Sequence, residues 1–280
     1  MENRTITNQR MTEFEQKLIS DERSQATVQK YLRDIRAFRS FVQKKTITKE
    51  VTIHYKQYLM ERYAPSSVNS MLAAINCFFK QMGWYDCIVK AVRIQRQAFR
   101  PRERELTKEE YYRLLDAAKD RKDTRLYLLM QTICATGIRI SELRYITVEA
   151  VRRGSATVSL KGKTRQVLIP SALCRELMRY ARMRAIRSGS IFVTKKGNPM
   201  DRTNILHEMK SLCEAARVDR RKVFPHNLRH LFACMFYKAS KDISRLADLL
   251  GHSSIDTTRI YTCVSGAEQR RQIERLGLIK

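Results

Sequence analysis

The sequence predicts a mainly α-helical fold with one small antiparallel β-sheet. Apolar residues recur at helical spacing through residues 27–84, which indicates a bundle of amphipathic helices. Thr107 and Glu110 have the spacing of a capping box, so a second block of helices begins there. Only residues 156–170 alternate between apolar and polar side chains as a half-buried sheet does. We therefore expect a helical N-terminal domain followed by an α+β domain.

The first domain, residues 1–92, shows two clear amphipathic patterns. In TVQKYLRDIRAFRSFV, residues 27–42, the apolar side chains share one face and Ser24 is available as a helix start signal. The same spacing recurs in SSVNSMLAAINCFFKQMGW, residues 66–84, directly after Pro65. The basic side chains between these apolar positions are compatible with a solvated surface and with phosphate contacts.

A basic linker, residues 93–106, joins the two domains in this interpretation, because the apolar period lapses there and cationic residues crowd around Pro101. The second domain, residues 107–280, begins with a helix near Thr107. Further helices are expected around residues 124–136, 171–186, 201–217, 226–239 and 242–250.

The sheet is predicted from ATVSLKGKTRQVLIP, residues 156–170. Val158 and Leu160 share one side, Val167 and Ile169 share one side on the return, and KGKT forms the turn. SIFVT, at positions 190–194, is expected to add a third short strand.

The net charge indicates the class of partner. The 280-residue chain carries 55 Lys and Arg against 28 Asp and Glu, a formal charge of +27. A polyanion is the simplest explanation, since cationic side chains on phosphates release counterions, and an acidic membrane surface is the weaker alternative. Apolar stretches such as LYLLM are too short to span a bilayer, and the N-terminus does not resemble a secretory signal. We expect a cytoplasmic protein without membrane partners.

The seven cysteines show no CxxC spacing and lie mostly among apolar neighbours. This pattern predicts reduced, buried thiols and no metal site. Separately, we expect no cofactor.

Four stretches combine residue types suited to chemistry, although each has an ordinary structural explanation as well. Arg139 could be a helix-surface charge paired with Glu142, and turn lysines are common in hairpins. His226 after Pro225 could simply start a helix. The stretches are ATGIRISEL (135–143), LKGKTR (160–165), PHNLRH (225–230) and LADLLGHSSIDTTRIYT (246–262).

Taken together, these stretches supply what metal-free phosphoryl transfer requires. His226 and Arg229 are three apart on a predicted helix, and Gly251 ends a helix just before His252. Guanidinium groups can hold a phosphodiester, histidines and a turn lysine can transfer protons, and Tyr261 can attack. The last stretch could instead be a helix-turn-helix or a packed turn. A recognition helix would need base-reading residues where Ile255, Ile260 and Tyr261 lie, and simple packing would not need His252.

On these motifs the chain resembles the tyrosine recombinases, also called phage-type integrases, which include the Xer proteins. The likeness covers residues 107–280 and, more loosely, the first domain, which resembles the family's SAM-like core-binding domain. The family pattern is Arg, Lys, His-x-x-Arg, His (or Trp), Tyr. This sequence matches the pattern at Arg139, Lys161, His226, Arg229, His252 and Tyr261.

The lysine of the pattern has two candidate positions, because KGKTRQVLIP looks like the commoner KGxKxR form with one residue removed. This alignment favours Lys161 as the general acid, with Lys163 as the alternative. The resemblance gives Glu142 the role of orienting Arg139, and His230 is expected to be buried behind the site.

The resemblance implies that Tyr261 attacks the scissile phosphorus to give a 3′-phosphotyrosyl DNA and a free 5′-hydroxyl, without ATP. His226 assists loss of the tyrosine proton, the two arginines clamp the non-bridging oxygens, and His252 donates a further hydrogen bond. The expected partner is a double-stranded DNA recombination site, bound by a homotetramer on two such sites. The C-terminal tail, residues 266–280, is expected to dock on a neighbouring subunit.

Two other functions share parts of this pattern. A type IB topoisomerase uses the same chemistry, but a separate first domain suited to closing a clamp favours recombination. A catalytically silent DNA-binding regulator would be expected to have lost some of the six residues, and none is missing. Integration or excision of a mobile element and chromosome-dimer resolution both remain open, as does the DNA target sequence.

Overall fold

A computed structural model describes residues 4–43, 45–94, 104–160, 163–194, 196–252, 254–261, 270–271 and 274–278. The chain divides into two compact units, residues 1–96 and 97–280. The domain bounds predicted above, with a linker at 93–106, stay a prediction, since residues 95–103 lie outside the described residues. None of the described helices is long and apolar enough to cross a membrane.

The N-terminal unit is a helical bundle built around an aromatic core. Phe14, Phe38, Phe78 and Phe79 are fully buried at its centre, and Ser24 accepts the hydrogen bond that starts the second helix. The fourth helix begins at Pro65, as predicted. The described α-helices of the N-terminal unit are α1 (Asn8–Ser20), α2 (Gln25–Val42), α3 (Lys49–Arg62) and α4 (Pro65–Gln81).

The C-terminal unit begins with the capping box that the sequence predicts. The Thr107 hydroxyl accepts from the Glu110 amide, and the Glu110 carboxylate accepts from the Thr107 amide. The described helices of this unit are α5 (Lys108–Asp120), α6 (Thr124–Thr136), α7 (Val148–Arg153), α8 (Ser171–Met183), α9 (Arg202–Ser211), α10 (Cys213–Ala216), α11 (Pro225–Ser240), α12 (Ile243–Leu250) and α13 (Ile255–Thr258).

The predicted hairpin is present as two antiparallel strands, β1 (Ser155–Leu160) and β2 (Lys163–Leu168). Val158 lies opposite Arg165 in the register. Val158, Val167 and Ile169 are buried, while Leu168 is exposed. The hairpin therefore packs one apolar face on the helical core, which confirms the mainly α fold with a small antiparallel sheet.

Two predictions about single elements were wrong. Residues 190–194 do not form a third strand: Ser190 and Val193 each make one isolated bridge, to different partners. The helix predicted over 201–217 is two helices, because the chain leaves helical hydrogen bonding at Leu212. The thiols are free, as far as the described cysteines show, but only Cys87 and Cys213 are fully buried.

Candidate active site

The candidate residues lie around the C-terminal end of helix α12. Three successive carbonyls there, those of Leu249, Leu250 and Gly251, each accept a hydrogen bond from a different arginine side chain. Carbonyls at a helix C-terminus lack intrahelical partners and carry partial negative charge, so they attract cations. The helix end therefore fixes three guanidinium groups within one region.

Arg229, from α11, is the most deeply buried of these arginines, with 3% of its surface exposed. Its Nη1 donates to the Gly137 carbonyl at 2.5 Å, and its Nη2 donates to the Leu250 carbonyl at 2.7 Å. Burial, followed by repulsion from Arg139, lowers the pKa of Arg229 to about 10. This pKa is still above neutral pH, so the guanidinium stays charged, and carbonyls at two helix ends hold it in place.

Arg139 lies just after α6 and is only partly buried. Its Nη1 donates to the Glu142 Oε1 at 2.9 Å, and its Nη2 reaches the Gly251 carbonyl at 3.1 Å. Glu142 is 1% exposed and also accepts from the Arg139 amide. Burial alone would raise the Glu142 pKa, but the hydrogen bonds from Arg139 and the charge of Arg165 hold it below its ordinary value.

His252 connects the arginines to the tyrosine. Its Nε2 lies 3.1 Å from Nη2 of Arg229, and its Nδ1 lies 2.9 Å from the Thr258 hydroxyl. A guanidinium can only donate, so Nε2 accepts and the neutral ring carries its proton on Nδ1, facing Thr258. Burial and the nearby Arg229 and Arg139 lower the His252 pKa to about 4.

Tyr261 lies against two histidine rings and is 5% exposed. Its ring stacks on His252 at 6.0 Å between centroids, and His230 meets it edge-on at 5.0 Å. Leu246 and Leu250 belong to the same small buried cluster. His230 is itself buried, as the sequence predicts. The phenol of Tyr261 therefore lies beside His252 and the cluster of guanidinium groups at the end of α12.

The remaining predicted residues are less fully defined by the structure. His226 is exposed at the start of α11, three residues before Arg229 on the same helix. Lys161 lies outside the described residues, and of Lys163 only the backbone, in β2, is described. The structure thus brings Arg139, Glu142, Arg229, His230, His252 and Tyr261 together.

Two residues of the site were missed by the sequence interpretation. Arg165 shares Glu142 with Arg139, and Thr258 holds the Nδ1 side of the His252 ring. Arg165 is the last residue of the LKGKTR stretch, so that stretch contained the signal. Thr258 follows His252 by six positions across a turn, and no periodicity singles it out.

Within the described parts of the chain, no group of three or more His, Cys, Asp and Glu side chains could hold a metal ion. The positive charge at the end of α12 comes from the side chains of Arg139, Arg165 and Arg229. Such groups can stabilise negative charge on a phosphoryl centre through directed hydrogen bonds.

Gly251→Ala should destabilise the protein more than a glycine substitution in the same backbone conformation elsewhere. Gly251 has φ +62°, and a Cβ there would collide with the Arg165 side chain, including its Nε at 2.8 Å. Gly154 has φ +73°, and a Cβ added there would have no neighbour within 4 Å, so Gly154→Ala is the matched control. We expect a cost of about 1 kcal/mol for Gly154→Ala from the left-handed backbone, and about 2 kcal/mol or more for Gly251→Ala with overpacking added.

Urea unfolding of the two variants measures this difference in the free energy of unfolding. Equal losses would contradict the close packing of Arg165 on Gly251.

The depressed pKa of His252 should make stability fall in mild acid. The unfolded chain takes up this proton near the ordinary histidine value of about 6.5, whereas the folded chain does so near pH 4. The contribution of neutral His252 to the free energy of unfolding is therefore fully present above the histidine pKa of the unfolded chain. It is lost as the pH falls from there toward 4. His252→Gln should flatten the dependence of the thermal midpoint on pH across this range.

The exposed His207 on α9 provides a control for the effect of replacing a histidine by glutamine on the protein surface. A His252→Gln variant with an unchanged slope would mean that His252 protonates equally well in the folded and unfolded chains.

The chain matches known families along most of its length. Residues 104–268 match the phage integrase family, and residues 11–84 match the N-terminal SAM-like domain of phage integrases. Tyrosine recombinase XerA of Pyrococcus furiosus is 30% identical over 224 residues, which cover 78% of this chain and 77% of that protein. Tyrosine recombinase XerD of Halalkalibacterium halodurans is 27% identical over 271 residues, which cover 88% of this chain and 90% of that protein.

Solved structures agree with these relatives. The crystal structure of XerA recombinase shares 26% identity, with a TM-score of 0.53, over 96% of this chain and 98% of that chain. A lambda integrase tetramer bound to a Holliday junction shares the fold, with a TM-score of 0.74 at 17% identity over 93% of this chain and 78% of that chain. The chain therefore belongs to the phage integrase family and is a tyrosine-type site-specific DNA recombinase.

Proposed function

We propose that Tyr261 is the nucleophile that cleaves and rejoins DNA strands through a 3′-phosphotyrosyl intermediate. The observation that carries this assignment is the chain of contacts from Tyr261 to His252 to Arg229. It places the phenol beside groups that can hold a phosphodiester. The bond formed is that between the tyrosine oxygen and phosphorus, and the bond broken releases the 5′-oxygen of the DNA.

Arg139 and Arg229 are proposed to bind the non-bridging oxygens of the scissile phosphate. Each already has guanidinium N–H groups oriented by main-chain carbonyls, so little reordering is needed when the anion arrives. Glu142 orients Arg139 through its buried carboxylate. A phenol is a weak acid, and we assign to the exposed His226 the uptake of its proton during the attack.

His252 is proposed to serve in two ways. In the free protein its Nε2 accepts from Arg229, so this nitrogen has no proton to give. Once the Arg229 N–H that contacts Nε2 bonds to a phosphate instead, the other tautomer of His252 can donate from Nε2 to the same anion. Lys161, with Lys163 as the alternative, is assigned the protonation of the leaving 5′-oxygen. No step calls for a metal ion, a cofactor or ATP, since one phosphodiester is exchanged for another.

The proposed partner is a double-stranded DNA recombination site, and the proposed assembly is a homotetramer on two sites. The formal charge of +27 suits a DNA partner. The similar lambda integrase structure is a tetramer bound to a Holliday junction. Two duplexes must each be cleaved and rejoined in recombination, which requires more than one active tyrosine. The reaction serves integration or excision of a mobile element or chromosome-dimer resolution.

Covalent trapping tests the proposal on genomic DNA, where the protein itself selects the site. The full-length protein is incubated with nicked genomic fragments in excess EDTA, and protein-linked DNA is recovered under denaturing conditions and sequenced. We expect adducts at a recurrent sequence, linked at a 3′-phosphate, because the nick lets the free 5′-hydroxyl strand escape. Adducts that form only when Mg²⁺ is present, or no adducts at all, would contradict the mechanism.

Deleting residues 268–280 should separate DNA binding from assembly. In the part of the tail that is described, Leu276 and Leu278 are 63% and 85% exposed, so they are available to pack on another subunit. Ile273 and Ile279, the other apolar residues of this stretch, lie outside the described residues. We expect the truncated protein to bind one trapped-site duplex normally but to form no tetramer in sedimentation. Unchanged recombination by the truncated protein would exclude this role of the tail.

A further inference from the structure

Arg165 is a cationic residue of strand β2 that the assignment above does not use. Its side chain is 13% exposed and leaves the hairpin for the end of α12. Nη1 donates to the Leu249 carbonyl at 2.7 Å, and Nη2 donates to the Glu142 Oε2 at 2.6 Å. The side chain thus spans from the sheet to two parts of the candidate site.

Glu142 is the first of these parts, and its carboxylate is shared. One oxygen pairs with Nη1 of Arg139 at 2.9 Å, and the other pairs with Nη2 of Arg165 at 2.6 Å. The carboxylate is almost fully buried, with 1% exposure, so its direction is set by these partners. If Arg165 were lost, the second oxygen would keep the hydrogen bond from the Arg139 amide but would lose its ion pair.

The end of α12 is the second part. Arg165 binds the Leu249 carbonyl, which immediately precedes the carbonyls that hold Arg229 and Arg139. Its stem also covers Gly251, where there is no room for a Cβ. Arg165 therefore holds residues 249–251, which directly precede His252, in place.

We propose that Arg165 is a positioning residue for strand cleavage, which aligns Arg139 through Glu142 and holds the α12 end that presents His252. This inference rests on the proposed function. Arg165 touches other protein groups with both terminal nitrogens, so its role is exerted through Arg139 and His252. It is distinct from the hairpin lysine that is assigned to proton transfer.

Loss of Arg165 should slow the covalent step without weakening DNA binding. Adduct formation is followed in single turnover, with protein in excess over nicked genomic fragments, for the wild-type protein and Arg165→Ala. We expect a decrease on the order of 10²-fold in the rate constant, as for misplacement of catalytic groups by about 1 Å. DNA affinity, measured separately by filter binding, should stay within about threefold, because only contacts to the scissile phosphate are perturbed and the other phosphate contacts dominate affinity.

Guanidinium ion provides the readout that a general loss of structure would not reproduce. It fits the space that Arg165→Ala vacates and can bond to both Glu142 and the Leu249 carbonyl, so millimolar guanidinium should restore much of the rate. Arg113→Ala is the matched control, since Arg113 likewise donates to helix-end carbonyls, those of Ala216 and Arg217, away from Glu142. Arg113→Ala should keep the wild-type rate and should not respond to guanidinium at constant ionic strength.

An unchanged rate in Arg165→Ala, a defect confined to DNA affinity, or a slow rate that guanidinium does not restore would each overturn the proposal. If Arg165→Ala does not fold, Arg165→Lys decides, since an ammonium cannot make both bonds in the same geometry. It should then fold, bind DNA and cleave slowly; a wild-type rate in Arg165→Lys would overturn the proposal. Failure of the wild-type protein to form adducts would instead count against the proposed function.

Discussion

Tyr261→Phe is expected to abolish covalent protein–DNA adducts while leaving the fold and DNA binding intact. The substitution removes only the phenolic oxygen, and the ring keeps its packing against His252 and His230. Removal of a nucleophile costs a factor on the order of 10⁴ or more in rate, so adducts should disappear from denaturing gels. Affinity for the trapped DNA should change by less than about threefold, because phosphate contacts dominate it.

Tyr145→Phe is the matched control for this prediction. The Tyr145 hydroxyl donates to the Ser159 carbonyl at 2.7 Å, in the same unit but outside the cluster around His252. The control should lose that hydrogen bond and still form adducts. Adducts of undiminished yield in Tyr261→Phe would show that another residue attacks the phosphorus.

Lys161→Ala is expected to be severely impaired on ordinary DNA and largely restored on a sulfur-bridged substrate. A general acid protonates the leaving 5′-alkoxide as the phosphorus–oxygen bond breaks, a contribution of about 10²–10⁴-fold. With sulfur in place of the bridging 5′-oxygen, the leaving group is a thiolate, whose conjugate acid has a pKa of about 8.5. A thiolate leaves without that proton. Single-turnover cleavage of both substrates measures the rescue.

Arg139→Ala provides the contrast, because it removes charge stabilisation rather than a proton and should be defective on both substrates. Rescue of Lys163→Ala in place of Lys161→Ala would mean that the one-residue gap in the KGxKxR alignment lies on the other side. If neither lysine variant is rescued, the hairpin does not supply the proton.

Most of the fold could be predicted because its elements are specified by local signals. Three helix boundaries lie where the sequence predicts them. They are marked by the Thr107–Glu110 capping box, by Pro65 at the first position of α4 and by the left-handed Gly251 after α12. The third strand was wrongly predicted because SIFVT has β-forming residues without a continuous partner. Whether such a segment pairs is decided by tertiary neighbours and not by its own composition.

The candidate site was predictable at the residues that the motif carries and not at those that support them. Arg139, Arg229, His252 and Tyr261 were named from the resemblance to the family pattern, and the structure brings them together. The contacts of Arg165 with Glu142 and Leu249 depend on how a hairpin lies against α12, with sequence separations of 23 and 84 residues. No pattern within a short window encodes such contacts. The same holds for the Nδ1 tautomer of His252, which is set by the guanidinium of Arg229, 23 residues away in the sequence.

Three guanidinium groups lie close together at the end of α12. This arrangement implies that binding of a phosphate group at the candidate active site is thermodynamically linked to folding. Burial first, and then repulsion from Arg139 and Arg165, lower the pKa of Arg229, so these guanidinium groups are close enough to repel one another. We expect a phosphate or a DNA phosphodiester bound among these guanidinium groups to offset their repulsion, and to raise the free energy of unfolding as far as it binds the native chain more tightly than the unfolded one. We therefore expect the C-terminal unit to unfold at a higher temperature when it is bound to DNA than when it is free.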